Sequence, residues 1–231
     1  MRKKIYAVVV AGGSGTRMGG PVPKQFLTLG GKPVLQRSIE RIRAAWPEAL
    51  IVTVLPSDSI DYWRNYSLEH IPSFPQMLVE GGITRFHSVR NALARIPEGA
   101  IVAIHDAVRP LVSVDLLKRL ISEKESERAV VPVVPVSDTL KAAFRDGDGK
   151  IRPLNESAPD RSRVFAAQTP QLFLSEDLKA AYAKPFDTAF TDDCSVAVAA
   201  GIPVSFIEGE KYNIKLTTPD DMSVAAALLS P

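Results

Sequence analysis

The sequence of 231 residues contains one cysteine, Cys194, so no intrachain disulfide can form and a packed core must hold the fold. His70, His87 and His105 are scattered, and no Cys or His pair has metal-ligand spacing, which excludes a structural zinc site. Neither charge dominates. With 28 Lys+Arg against 26 Asp+Glu the net charge is +2, without the basic surplus of a general nucleic-acid binder, so any cationic cluster is local. No apolar run approaches the length that crosses a bilayer. The basic Met1-Arg2-Lys3-Lys4 precedes Ile5–Ala11, a stretch too short for the apolar core of a secretory signal. There are no repeats, low-complexity tracts or long linkers. The expectation is a cytoplasmic protein with neither nucleic acid nor membrane as partner.

What is present begins with Ile5-Tyr6-Ala7-Val8-Val9-Val10, a β-branched and apolar run that reads as a strand buried on both faces. It empties directly into Ala11-Gly12-Gly13-Ser14-Gly15-Thr16-Arg17-Met18, followed by Pro23-Lys24-Gln25-Phe26. Three glycines let backbone N–H groups converge on an anion, and Arg17 and Lys24 bring the charge that triphosphate oxygens require. A Walker loop is excluded because Gln25 and Phe26 follow Lys24. A dinucleotide fingerprint is excluded because Met18 stands where its third glycine should pack. A tight strand-to-helix turn would use the same glycines for geometry alone; the two cations favour a ligand.

The rest of the chain alternates. Helices are expected over Pro33–Arg43, Ser59–Tyr66, Thr84–Ile96 and Val114–Glu125, and strands over Leu50–Leu55, Gln76–Glu80, Ala100–His105 and Ala129–Pro135. Between Val136 and Ser162 the pattern breaks: Thr139–Arg145 and Lys150–Asn155 flank the turn Asp146-Gly147-Asp148-Gly149, giving a hairpin arm over residues 137–161. Strand Val164–Gln168, helices Ser175–Lys184 and Asp193–Ala200, strand Pro203–Glu208 and helix Pro219–Leu229 complete the chain. The expected class is α/β: a Rossmann-like three-layer sandwich, mostly parallel, with helices on both faces, as one domain over residues 1–231 plus the projecting arm. An isolated two-stranded hairpin is marginal in water, so the arm implies a second subunit.

Three further places carry chemistry. Asp106, in His105-Asp106-Ala107-Val108-Arg109-Pro110, leaves a buried strand at the sheet edge of the glycine loop, where a carboxylate can hold Mg²⁺ against triphosphate oxygens; capping its own loop or pairing with Arg109 is the competing use. Gly81-Gly82-Ile83-Thr84-Arg85-Phe86-His87-Ser88 could set backbone and the Ser88 hydroxyl against a base edge, or serve simply as a helix start with Thr84 as N-cap. Lys215 ends a strand before a strong helix start at Thr218-Pro219, a place where a lone lysine is usually solvated.

The glycine loop resembles that of nucleotidyltransferases that join an NTP to a sugar or polyol phosphate. Its Pro-Lys-Gln ending resembles the 2-C-methyl-D-erythritol 4-phosphate cytidylyltransferases of the non-mevalonate isoprenoid pathway. The His-Asp-Ala-x-Arg-Pro block, the Asn213-Ile214-Lys215-x-Thr217 segment, Thr169-Pro170-Gln171 and Thr191-Asp192-Asp193 extend the likeness over nearly the whole chain. It implies CTP and a polyol phosphate as substrates, with Arg17, Lys24 and Lys215 on the reacting phosphates and Mg²⁺ on Asp106. It also implies that Ala11, Gly12, Gly13, Ser14, Gly15, Gly82 and Ser88 hold the nucleotide. Arg109, Thr169 and Thr217 would face the acceptor, and Thr139 and Arg161 would reach it from the neighbouring subunit of a homodimer joined by the arm. The family often carries an acidic residue where Ile83 stands. Ribitol 5-phosphate is the nearest alternative acceptor. A non-catalytic nucleotide-binding protein is the alternative of another class, favoured by loss of Lys24, Asp106 or Lys215, all of which are present.

Overall fold

The computed structural model describes residues 3–12, 22–157 and 159–229. Its elements run β1 (Ile5–Val10), β2 (Thr28–Leu29), β3 (Lys32–Pro33), α1 (Val34–Ala45), β4 (Leu50–Leu55), α2 (Ile60–His70), β5 (Gln76–Glu80), α3 (Arg85–Leu93), β6 (Ile101–Asp106), α4 (Val114–Lys124) and β7 (Ala129–Pro135). The second half adds β8 (Ala143–Arg145), β9 (Ile151–Pro153), β10 (Phe165–Ala167), β11 (Gln171–Leu174), α5 (Ser175–Tyr182), α6 (Asp193–Ala199), β12 (Ser205–Glu208) and α7 (Pro219–Leu229).

Alternation along the strands decides the layers. Ala7, Val9, Ala103 and Leu172 face one side, where Leu35, Ile39 and Ile42 of α1, Trp63 of α2 and Leu117 and Leu120 of α4 cover them. Tyr6, Val8, Val102, Ile104 and Phe173 face the other, under Phe86 and Val89 of α3, Leu178 and Tyr182 of α5 and Val196 of α6. The result is a three-layer sandwich around a central sheet ordered β10-β7-β11-β6-β1-β4-β5, with β12 also paired to β7. β1 pairs in parallel with β4 and β6, β4 with β5, and β12 with β7. Among the described residues no helix is long and apolar enough to cross a membrane.

Four features depart from the sequence reading, one being that Lys215 ends no strand, since residues 209–218 form none. β11 is an antiparallel strand wedged between β6 and β7, in a stretch where the sequence reading placed no element. A small hairpin, β2–β3, precedes α1. The arm hairpin β8–β9 has strands of three residues, shorter than the expected Thr139–Arg145 and Lys150–Asn155. Its turn is nonetheless well made: Asp146 accepts from the Asp148 and Lys150 N–H groups at 3.1 and 2.8 Å and from Arg152 Nε at 2.8 Å, and Gly149 takes φ 77°.

Candidate active site

The parallel order brings the ends of β1, β5 and β6 to one edge of the sheet. Val10 is in register with Asp106, Ala11 N–H donates to Val54 C=O at 2.9 Å, and Gly81 N–H donates to Leu55 C=O at 2.8 Å. Ala11, Gly12, Gly82 and Asp106 line a cavity of about 210 Å³ that Lys24, Gln25, Ser88 and Lys215 complete. A second cavity, of about 260 Å³, lies against Arg109, Thr169 and Gln171 and shares Arg85, Asp106 and Lys215 with the first. Larger cavities of about 440 and 670 Å³ open beside Lys3 and Ile5 at the opposite end of β1, and neither adjoins any of these stretches.

Asp106 is the junction of the two spaces. Its carboxylate has Lys215 Nζ at 2.8 Å, Arg85 Nε at 3.5 Å and Arg109 Nε at 3.7 Å. Burial opposes ionisation, but Arg85, Lys215 and Arg109 outweigh it and hold the carboxyl well below the usual carboxylate range. Arg85 is itself fixed from behind. Its Nη2 donates to Asp193 Oδ2 at 2.6 Å, and the Tyr182 hydroxyl donates to Asp193 Oδ1 at 2.6 Å. Burial works against the Arg85 charge, yet Asp193 and Asp106 raise its pKa further, while burial and Asp193 push the Tyr182 hydroxyl up so that it stays a donor. Burial of Arg109 lowers its pKa, and its Nη1 donates to Asn213 C=O at 2.6 Å.

The support for Asp193 comes from a capping box at the start of α6: Asp192 Oδ1 accepts from Ser195 N–H at 2.8 Å, and Ser195 Oγ accepts from Asp192 N–H at 3.1 Å. Gln171 of β11 joins it by donating from Nε2 to Asp192 Oδ2 and accepting from Cys194 N–H, both at 2.8 Å. The unexpected strand therefore anchors the helix that holds Arg85.

On the glycine side, Lys24 sits in a single 3-10 turn, Lys24–Phe26, pinned by Phe26, whose ring packs edge-on to Tyr62 at 4.9 Å and stacks on Trp63 at 5.9 Å. Ser88 is buried and works inside the Gly81–Gly82 turn: it accepts from Gly82 N–H at 3.0 Å and donates to Thr84 C=O at 2.9 Å. The turn thus presents mainly backbone to the cavity, and a Cβ on Gly82 would stand 2.4 Å from His87 Cβ. Thr84 caps α3, as the sequence suggested, and Ile83 is exposed at the cavity mouth. Arg17, Gly13, Ser14 and Gly15 lie outside the described residues.

For the residues expected to face an acceptor the picture is more selective. Thr169 lines the second cavity, but its hydroxyl oxygen accepts from Asp106 N–H at 3.0 Å and lies 3.1 Å from His105 Nδ1. His105 Nε2 faces the Arg109 carbonyl at 3.2 Å and must carry the ring proton, so Nδ1 accepts and Thr169 donates to it. Thr169 can then offer the cavity only a lone pair, which suits a hydroxyl of an acceptor and not its phosphate. Thr217 lines neither cavity; its hydroxyl and N–H both donate to Asp221, at 2.8 and 2.7 Å, and belong to the start of α7. Thr139 and Arg161 also line neither cavity, and Arg161 Nη1 donates to Ser137 C=O at 2.9 Å within the arm.

The family model for 2-C-methyl-D-erythritol 4-phosphate cytidylyltransferase matches residues 5–231. The chain belongs to this family. It is 46% identical over 231 residues, all of both chains, to the 2-C-methyl-D-erythritol 4-phosphate cytidylyltransferase of Porphyromonas gingivalis. It is 43% identical to that of Bacteroides fragilis over 96% of this chain and 98% of the relative. Solved structures agree: the Francisella tularensis cytidylyltransferase superposes with a TM-score of 0.78 at 29% identity, covering 98% of this chain and 100% of that one. The Thermus thermophilus enzyme gives a TM-score of 0.73 at 30% identity, with 99% and 98% covered. For a member of this family, two cavities meeting at one cation-ringed carboxylate have the form that two phosphate-bearing substrates require.

Proposed function

We propose that the chain transfers a cytidylyl group from CTP to 2-C-methyl-D-erythritol 4-phosphate, releasing pyrophosphate and forming 4-diphosphocytidyl-2-C-methyl-D-erythritol for isoprenoid precursor synthesis. The observation that carries this reading, beside family membership, is the shared wall of Asp106, Lys215 and Arg85 between a cavity bounded by glycine backbone and one bounded by polar side chains. The nucleotide occupies the first and the acceptor the second, so an acceptor phosphate oxygen meets the α-phosphorus of CTP beside Lys215. A phosphate monoester is already largely ionised at neutral pH, so no general base is required, and catalysis consists of positioning and charge stabilisation. Arg17, Lys24 and Lys215 supply the positive charge; Arg109 orients the acceptor.

Asp106 fits a Mg²⁺ that binds with the triphosphate. No group of three carboxylate, His or Cys side chains capable of holding a metal alone occurs among the described residues, and Mg²⁺ commonly takes one or two protein carboxylates together with substrate phosphates. Asp106 is ionised, and the ion pair at its Oδ1, with Arg85 Nε at 3.5 Å, is longer than that at Oδ2, with Lys215 Nζ at 2.8 Å. Bound there, the ion would neutralise charge on the phosphates.

The arm carries exposed Phe144 and Ile151 on strands of three residues and exposed Leu154 just beyond β9, which supports a homodimer in which a second subunit covers it and receives Thr139 and Arg161. A cytoplasmic location suits Cys194, which is unpaired and whose thiol burial pushes up to about 11.

Pyrophosphate release measured over a matrix of nucleoside triphosphates and acceptor phosphates tests the reading. Release with CTP and 2-C-methyl-D-erythritol 4-phosphate should exceed every other pairing, ribitol 5-phosphate included. Preference for ribitol 5-phosphate would reassign the acceptor, and no release with any pair would leave a non-catalytic nucleotide binder.

A further inference from the structure

Gln25 is the residue of the Lys24–Phe26 turn that no role above uses. It is 1% exposed and lines the glycine-bounded cavity beside Lys24, Asp106 and Lys215. Its Nε2 is buried without a hydrogen-bond partner. Four other buried side-chain atoms among the described residues share that condition, on Trp46, Gln76, Arg109 and Asn213, and none of those residues lines this cavity. Buried donors are almost always paired, because an unpaired one forfeits its hydration and receives nothing in return. The turn itself does not require the amide: Phe26 N–H donates to Pro23 C=O at 2.9 Å and Leu27 N–H to Lys24 C=O at 3.3 Å, all through backbone.

We propose that Gln25 is a substrate-contacting residue whose Nε2 donates to a triphosphate oxygen of the nucleotide. The chemistry of the wall selects that partner: two lysines line the same cavity, and an anionic oxygen is the acceptor their charge draws in. A neutral donor beside Lys24 adds direction that an ammonium group alone does not give, since an amide N–H fixes where the oxygen sits. This assignment rests on the nucleotide reading above and deepens it by adding a group to the triphosphate subsite.

The consequence is an opposition between binding and stability. Replacing Gln25 by Met keeps the volume and removes the unpaired donor, so the thermal midpoint of the full-length protein without nucleotide should hold or rise. Titration calorimetry with CTP should show binding weakened about tenfold or more, the loss expected for a hydrogen bond to a charged group. Cytidine, which has no phosphates, should bind Gln25→Met and the parent alike. Gln25→Glu exchanges the donor for an anion and should weaken CTP further than Gln25→Met while also leaving cytidine unchanged. A lower midpoint in Gln25→Met with unaltered CTP affinity would make Gln25 a packing residue and overturn the assignment. Equal losses for CTP and cytidine would overturn it too, by placing the donor on the nucleoside. If the parent protein binds no CTP, the cytidylyl reading falls with it; if the parent binds CTP and Gln25→Met binds it equally, only the Gln25 assignment falls.

Discussion

Lys215 stands 2.8 Å from Asp106, so the cation assigned to the reacting phosphate is held ready by the carboxylate assigned to the metal. A charge placed on the phosphorus acts mainly as charge develops there, and its loss falls on turnover more than on nucleotide binding. Lys215→Ala and Lys24→Ala should each lower kcat roughly a hundredfold, on the order of 3 kcal/mol, with CTP affinity much less changed. Steady-state kinetics beside CTP titration checks this, and unchanged turnover in a folded variant removes that lysine from the mechanism. Asp106→Asn should raise the Mg²⁺ concentration needed for half-maximal rate; a magnesium titration that overlays the parent's makes Asp106 structural. His105 gives a different kind of test. It is wholly buried, and burial, only partly offset by Asp106, pushes its imidazole down to about 4. In the unfolded chain it takes up a proton near 6.5, so between these values the unfolded state binds more protons. The stability that neutral His105 permits is complete above about pH 6.5 and is lost as pH falls toward 4. Urea unfolding should show a loss of about 2 kcal/mol between pH 7 and pH 5, and most of that slope should be missing in His105→Asn.

Among the elements, α6 shows how a short helix can serve a site it does not line through its own side chains alone. Asp193, its first residue, is wholly buried between Arg85 and Tyr182. Asp193→Asn removes one charge of a buried pair and should destabilise the fold by about 3 kcal/mol, whereas Tyr182→Phe, which deletes one hydrogen bond to that charge, should cost about 1–2 kcal/mol. Denaturant midpoints separate the two, and equal small effects would mean that Arg85 finds another partner. This network marks the boundary of what the sequence could disclose. The strands leading to Ala11 and Asp106 were legible because each is a continuous apolar run that ends in its own functional residues. Thr84 and Thr218 were legible as helix starts for the same local reason, and both hydroxyls accept backbone N–H groups where expected, at 3.4 and 3.3 Å. Arg85 and Asp193 are 108 residues apart, and nothing near either names the other. β11 was missed because four residues, Gln171-Leu172-Phe173-Leu174, are too few for a period to declare itself. Thr217 and Ser88 carry the expected residue types, but their protons were already committed to local partners, a fact of geometry that spacing does not contain.

At the scale of the whole molecule, each chain builds both cavities from its own sheet edge, while Thr139 and Arg161 stand on an arm that lines neither of them. If those two residues act on an acceptor, they act in another chain's site, and each site is assembled from two subunits. Complementation tests this without knowledge of the acceptor's binding pose. Arg161→Ala carries its lesion on the arm, and Lys24→Ala carries its lesion beside the sheet. In a mixed dimer with exchanged arms, the sheet that keeps Lys24 receives the intact arm of the other chain, and the sheet that has lost Lys24 receives the altered arm. Swapped arms therefore place both defects in one site and neither in the other. With random pairing of equal amounts about half the dimers are mixed, each with one intact site of two, so roughly a quarter of parental activity should return on subunit exchange across a two-fold interface. Native mass spectrometry can establish that mixed dimers have formed. If they have and activity stays at the level of the separate variants, Arg161 serves its own subunit and the arm is not a shared part of the site.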